Sequence, residues 1–328
     1  MTKVVRVHRH GAPDVLQIED LPVENPGKGE VRLRIEAIGL NRSEALFRAG
    51  TYPQRPTLPT LMGYEAVGIV EALGEGVGEF SRGERVCVLP MYRLGEYGVY
   101  AQEAIVPASC LLAAPPTLTS VEAASIWMQY LTAFGIFDAG KLVIGEHVII
   151  SAASSSVGLA AIQLANWAGA IPIATTRYST KAATLKSHGA PHVIATEESD
   201  LAAEVMRITD GKGARVVFDP VGGSFVPKLA DAMAEDGVLL IYGGLSGEPV
   251  VYPHWASAFK AISVRSWIGS KIWAKPDRFA QVRQIILNGL DSGRLKPIVA
   301  KTFPLEQIVE AHRYLESNRQ IGKIVVTT

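Results

Sequence analysis

From Glu146 to Trp267, short apolar runs alternate with helix-length segments, and that alternation restricts the fold more than any other feature of the chain. Residues 147–151, 171–176, 193–195, 215–219, 238–242 and 262–267 are strand-like, while residues 158–168, 180–187, 200–208 and 224–234 between them carry helical spacing. Gly169 and Gly189 stand where two of these helices would close. Strands separated by helices of about ten residues imply crossover units, hence a parallel sheet with helices on both faces. The expected fold is a doubly wound α/β domain. Pro172 is compatible with it, because the first residues of a strand can do without a ladder donor.

The first strand-like run passes into Ala152, Ala153, Ser154, Ser155, Ser156, Val157 and Gly158, and then into a helix. Strand, small-residue turn and helix N-terminus together hold a pyrophosphate through backbone N–H groups. Gly158 takes the third glycine position of a GxGxxG turn, with Ala153 and Ser155 at the other two; an ordinary strand-to-helix turn has the same outline. The hydroxyls of Ser154, Ser155 and Ser156 can donate to the phosphate that they crowd. About twenty residues on, where a carboxylate would bind the ribose of NAD, stand Thr176, Arg177, Tyr178 and Lys181. Two charge-assisted bonds to a 2′-phosphate, at about 1.5–3 kcal/mol each, favour NADP over NAD by on the order of a hundredfold. Val221, behind the run ending at Asp219, and Tyr242, Gly243 and Gly244 close two further strands. They are expected to line the ribose and nicotinamide side, although glycine after a strand is also plain turn chemistry.

Before Pro116 the texture differs: residues 4–7, 30–37, 66–73, 85–89 and 100–106 are short strands broken by Gly and Pro, which predicts a compact, mainly β unit. Ser120 is placed to cap a helix from Val121, with Glu122 in its first turn and Gly140 past its end. The tail predicts helices over 277–288, closed by Gly289, and 305–315, then a strand over 322–327. A chain of 328 residues has room for two domains. Its 32 Lys and Arg balance 32 Asp and Glu, which removes the bulk attraction used by nucleic-acid or anionic-membrane binders. A small-molecule substrate is the expected partner. No segment reads as a signal peptide or membrane span, so a cytoplasmic location is expected. Cys87 and Cys110 are too few and too far apart for a metal or redox motif. His8 and His10 share one face of a strand but lack a third ligand.

The order of parts resembles the medium-chain dehydrogenase/reductase superfamily, and most of all its zinc-independent quinone oxidoreductase branch. The resemblance is carried by Asn41 to Tyr52, Gly63 to Gly68, Gly83 to Val86, Tyr130 to Ala133, the serine-rich turn ending at Gly158, and Gly322 to Val325. It implies a GroES-like catalytic domain over 1–121 and 268–328 and a Rossmann domain over 122–267. Zinc-dependent members place a Cys where Asn41 stands, a His where Tyr64 stands, and a Cys or Asp near Met128, so no catalytic metal is expected. The chain departs from the branch at Ser155 and Ser156, which replace the glycine pair, and at Glu44, which replaces Asp.

Hydride transfer from a nicotinamide leaves negative charge on the acceptor's oxygen. Without a metal, a quinone or α,β-unsaturated ketone is the expected acceptor, because conjugation spreads that charge. The resemblance implies that Asn41 orients ribose or substrate oxygen, that Tyr52 or Tyr64 donates to the forming enolate or hydroquinone, and that Thr132 faces the nicotinamide. Trp127, Met128 and Trp267 are candidates for an apolar wall, with core packing the first expectation for each. Reduction of an enoyl thioester or alkenal double bond is the alternative chemistry, and a dinucleotide-binding structural or RNA-associated protein the alternative class. An exposed edge at 262–267 would allow a homodimer.

Overall fold

The computed structural model describes every residue except Pro56, and the chain divides into two compact units: Met1–Met128 with Pro297–Thr328, and Gln129–Lys296.

The second unit is the doubly wound domain. Its sheet has six parallel strands in the order His192–Ala195, Ile171–Thr176, His147–Ile150, Ala214–Asp219, Met233–Ile241 and Ser263–Ser266. Numbered along the chain that order is 3-2-1-4-5-6, so the direction of winding reverses between His147–Ile150 and Ala214–Asp219. Val148, Ile149 and Ile150 are all fully buried, as befits a strand covered on both faces. Ile171 donates its N–H to Glu146 on the side of His147–Ile150, which turns the missing donor of Pro172 toward His192–Ala195; that strand pairs only from Ile173 onward.

Several helix ends differ from expectation for identifiable reasons. Ser155 caps the helix Ser156–Trp167 by accepting from Gly158 N at 3.0 Å, so the helix starts two residues early. The helix Phe225–Asp231 ends short of residue 234, because Met233 already pairs with Ala214 in the sheet. The helix Pro276–Asp291 runs through Gly289 instead of closing there: a Cβ at Gly289 would lie 2.6 Å from Leu295 and 2.8 Å from Trp167, so the glycine serves packing. Arg278 of this helix pairs with Asp138 through Nε at 3.0 Å. These contacts carry the second unit to Lys296, past the 267/268 boundary drawn from the sequence.

The first unit is β-rich, as expected. One sheet orders Leu16–Leu21, Thr2–Val7 and Thr60–Leu61; the other orders Val299–Pro304, Lys323–Thr327, Glu30–Gly39, Glu65–Leu73, Arg85–Val88 and Leu111–Ala113, with Glu103–Pro107 also on Glu30–Gly39. The last strand of the chain therefore lies beside one of its earliest. His8 and His10 fall beyond the end of Thr2–Val7 and share no strand face; His8 pairs with Glu19.

The single helix expected after Ser120 is three short ones, Ser120–Ala123, Trp127–Ala133 and Gly135–Asp138. Thr119, not Ser120, is the cap, accepting from Glu122 N at 3.3 Å while Glu122 accepts from Thr119 N at 2.9 Å. The break follows because Met128 N is taken by Glu65 Oε1 at 2.9 Å, which places a carboxylate at the start of the next helix. No helix among the described residues is long and apolar enough to cross a membrane.

Candidate active site

In the second unit, the carboxyl ends of the two strands at the reversal meet directly. Ser151 donates its hydroxyl proton to Asp219, which also accepts from Val221 N at 3.1 Å and Gly222 N at 2.7 Å. Burial raises the Asp219 carboxyl, and the Ser151 and backbone donors pull it back. Sequence inspection missed this pair, because a Ser and an Asp nearly seventy residues apart carry no joint signal.

The turn between strand and helix is built for close approach. Gly158 has no room for a side chain: a Cβ would come within 2.7 Å of Ala153 Cα and O. Ala153 N is fixed by Thr175 O at 3.1 Å, and Ala152 takes the left-handed φ of 45° that a glycine would occupy without strain. Ser155, Ser156 and Val157 are half-buried around it.

Thr176 ends the second strand, and the exposed Arg177 and Tyr178 follow. Lys181 lies one short turn on and reaches back to Ser154 Oγ at 3.0 Å. Burial lowers the Lys181 ammonium pKa, and the positive Arg177 lowers it further, so the two cations sit within each other's field.

Tyr242 stacks on Phe218, ring centroids 4.0 Å apart. Its hydroxyl is buried beside Ser155, with which it interacts. Gly243 packs on Pro220, where a Cβ would lie 2.9 Å from the carbonyl oxygen, while Gly244 opens to free space. Thr132 is buried and its carbonyl accepts from Trp267 Nε1 at 2.8 Å. Trp267 and Trp127 are buried core residues, the use expected first for them, and Met128 is packed against the first unit's core.

In the first unit, Asn41, Tyr52 and Tyr64 gather around Glu44. Asn41 caps the helix Arg42–Ala49; its Nδ2 donates to Gly39 O at 3.0 Å, and its Oδ1 accepts from Lys323 Nζ at 2.6 Å. Lys323 also pairs with Glu65 Oε2 at 2.6 Å, both side chains being 1% exposed. Glu44, fully buried, accepts from Asn41 N at 2.6 Å, Tyr64 N at 2.8 Å and Tyr100 Oη at 2.7 Å. Burial raises the phenols of Tyr52 and Tyr64, with the Glu44 charge adding to both, so they remain O–H donors at neutral pH. Glu44, Tyr100 and Lys323 were not expected as functional; the only local signal was Glu44 three residues after Asn41, the spacing of a capping box.

The Asn41 oxygen is already taken by an ammonium, and among the described residues no three or more His, Cys, Asp or Glu side chains are grouped to hold a metal.

Residues 27–116 match the family model of the alcohol dehydrogenase GroES-like domain, and residues 156–288 that of the zinc-binding dehydrogenases. The chain is 32% identical over 342 aligned positions to the 2-haloacrylate reductase of a Burkholderia species, covering 99% of both. It is 31% identical over 330 positions to the quinone oxidoreductase of Pseudomonas aeruginosa, again covering 99% of both. The solved structure of Escherichia coli quinone oxidoreductase complexed with NADPH matches 99% of this chain and 100% of its own, with a TM-score of 0.92 at 28% identity.

Proposed function

This chain belongs to the medium-chain dehydrogenase/reductase superfamily, in its quinone oxidoreductase-like branch, and from that premise we propose that it is an NADPH-dependent reductase of quinones or conjugated enones. Membership makes it an oxidoreductase. The observation that carries the finer reading is the pairing, at the strand-order reversal, of a turn closed to side chains at Gly158 with the cations Lys181 and Arg177.

The residues present fit a phosphorylated dinucleotide. Ser155, Ser156, Val157 and Gly158 would hold its pyrophosphate, and Arg177 and Lys181 its 2′-phosphate, with Thr176 and Tyr178 beside them. Thr132, Val221, Tyr242, Gly243 and Gly244 would line the ribose and nicotinamide end, where Gly244 leaves open space. When bound, this cofactor supplies a hydride. Asn41, held rigid by Lys323 and Gly39, orients an oxygen. Tyr52 or Tyr64, kept protonated by burial, donates a hydrogen bond to the oxygen on which charge builds.

A second reading has a specific support. The likeness to a 2-haloacrylate reductase favours the double bond of an activated acid or thioester as the acceptor. Purified protein with NADPH and a panel of benzoquinone, phenanthrenequinone, an alkenal, a crotonyl thioester and a 2-haloacrylate separates the two. Oxidation by the quinones supports the main reading, oxidation by the acid or thioester alone replaces it with the second, and tight NADPH binding without oxidation overturns both.

A further inference from the structure

Behind Asn41 and Tyr64 runs a chain of buried polar side chains whose direction is fixed from one end. Arg48 can only donate, so its Nη1, 3.0 Å from His312 Nδ1, makes that ring nitrogen an acceptor. The proton of the neutral ring is then on Nε2, which donates to the Tyr100 oxygen at 3.2 Å. Tyr100 donates in turn to Glu44 at 2.7 Å. Arg48 is itself anchored, by Glu316 at 2.7 Å and Gly11 O at 3.1 Å.

Glu44 stands at the end of this chain and joins two separate segments, accepting from the N–H of Asn41 before one helix and of Tyr64 before one strand. We infer that Glu44 is a positioning residue: ionised, it ties the backbone at Asn41 to the backbone at Tyr64, and Arg48, His312 and Tyr100 hold it as an acceptor. The consequence for rate rests on the proposed reductase activity; the geometry does not.

All three partners of Glu44 are donors, so a proton on Glu44 takes up acceptor capacity that they use and removes the negative charge that strengthens each contact. Tyr100 cannot reverse without leaving its own proton unpaired, since its oxygen already accepts from His312. The groups facing Glu44 are the Lys323 ammonium from the last strand, the phenols of Tyr52, Tyr64, Tyr92 and Tyr100, and, through His312, the Arg48 guanidinium. Burial pushes Glu44 up to about 7, against the lowering pull of Tyr100, the two N–H donors and Lys323. The tie therefore loosens as pH falls through neutrality.

The test is the pH profile of NADPH oxidation by Tyr100→Phe, which removes one donor from the ionised carboxylate. The acid limb of kcat moves up by about one pH unit, kcat at pH 7 falls about fivefold, and KM for NADPH changes less than about twofold, because that site is built in the other unit. An acid limb that stays where it is in the native protein, whatever the kcat, overturns the inference. Infrared titration of the native protein provides a second measurement: a protonated-carboxyl band grows between about pH 8 and about pH 6 and is missing in Glu44→Gln. Its absence from the native protein overturns the inference too. Should NADPH bind but no acceptor be reduced, the reductase reading fails, and the infrared titration still decides the role of Glu44.

Discussion

The placement of Arg177 and Lys181 beside the turn was legible in the sequence, because a strand, a small-residue turn, a helix and a second strand lie within about thirty-five residues of one another. Replacing either by Ala lowers the preference for NADPH over NADH, read as a ratio of kcat/KM values, by about tenfold. His312 was not legible, since its partners Arg48 and Tyr100 stand 264 and 212 positions away. Burial, with Arg48 and Arg42 nearby, depresses its imidazole to about 3. The folded chain thus keeps His312 neutral where the unfolded chain protonates it, so its contribution is complete above pH 6.5 and is lost on acidification toward pH 3. The stability difference between the native protein and His312→Gln, from urea unfolding, shrinks by about 1.4 kcal/mol per pH unit in that window. Glu44, raised by burial, works in the opposite sense between 4.5 and about 7, so only the difference between the two proteins isolates the histidine.

Elements were read well where one strand and one helix decide each other, and poorly where a distant side chain intervenes. The strand Ile171–Thr176 has the bounds that its apolar run predicts. The helix Arg42–Ala49 went unseen because Glu44 and Arg48 give it a polar pattern, yet both are buried, paired with groups far along the chain. The break before Trp127 depends on Glu65, another long-range partner. Gly158 is the opposite case, a glycine whose packing role follows from its place in the turn. Gly158→Ala pushes the helix Ser156–Trp167 off Ala153, at a cost of about 1–3 kcal/mol. The expected outcome is a lower melting temperature together with weaker NADPH binding by fluorescence titration. A variant that melts lower but binds as tightly would separate packing from phosphate approach.

At the scale of the molecule, the second unit is continuous in sequence and the first is not. All six strands of the parallel sheet come from within Gln129–Lys296, whereas Lys323–Thr327 completes a sheet begun at Glu30–Gly39 and brings Lys323 to Glu65 and Asn41. Removing residues 322–328 strands Glu65 as a buried, unpaired carboxylate and removes the cation that holds Asn41. Acceptor turnover is then lost, while NADPH binding by the second unit persists with a Kd within about threefold of the full chain, measured by calorimetry. The doubly wound domain was legible from strand alternation; the lysine that ties the ends of the first unit together is one cation among 32 until the sheet is drawn. The same discontinuity sets an order of events on the ribosome. The opening 128 residues lack the strand that their sheet takes from Lys323–Thr327, so during synthesis that sheet stays incomplete until all of Gln129–Lys296 has been made.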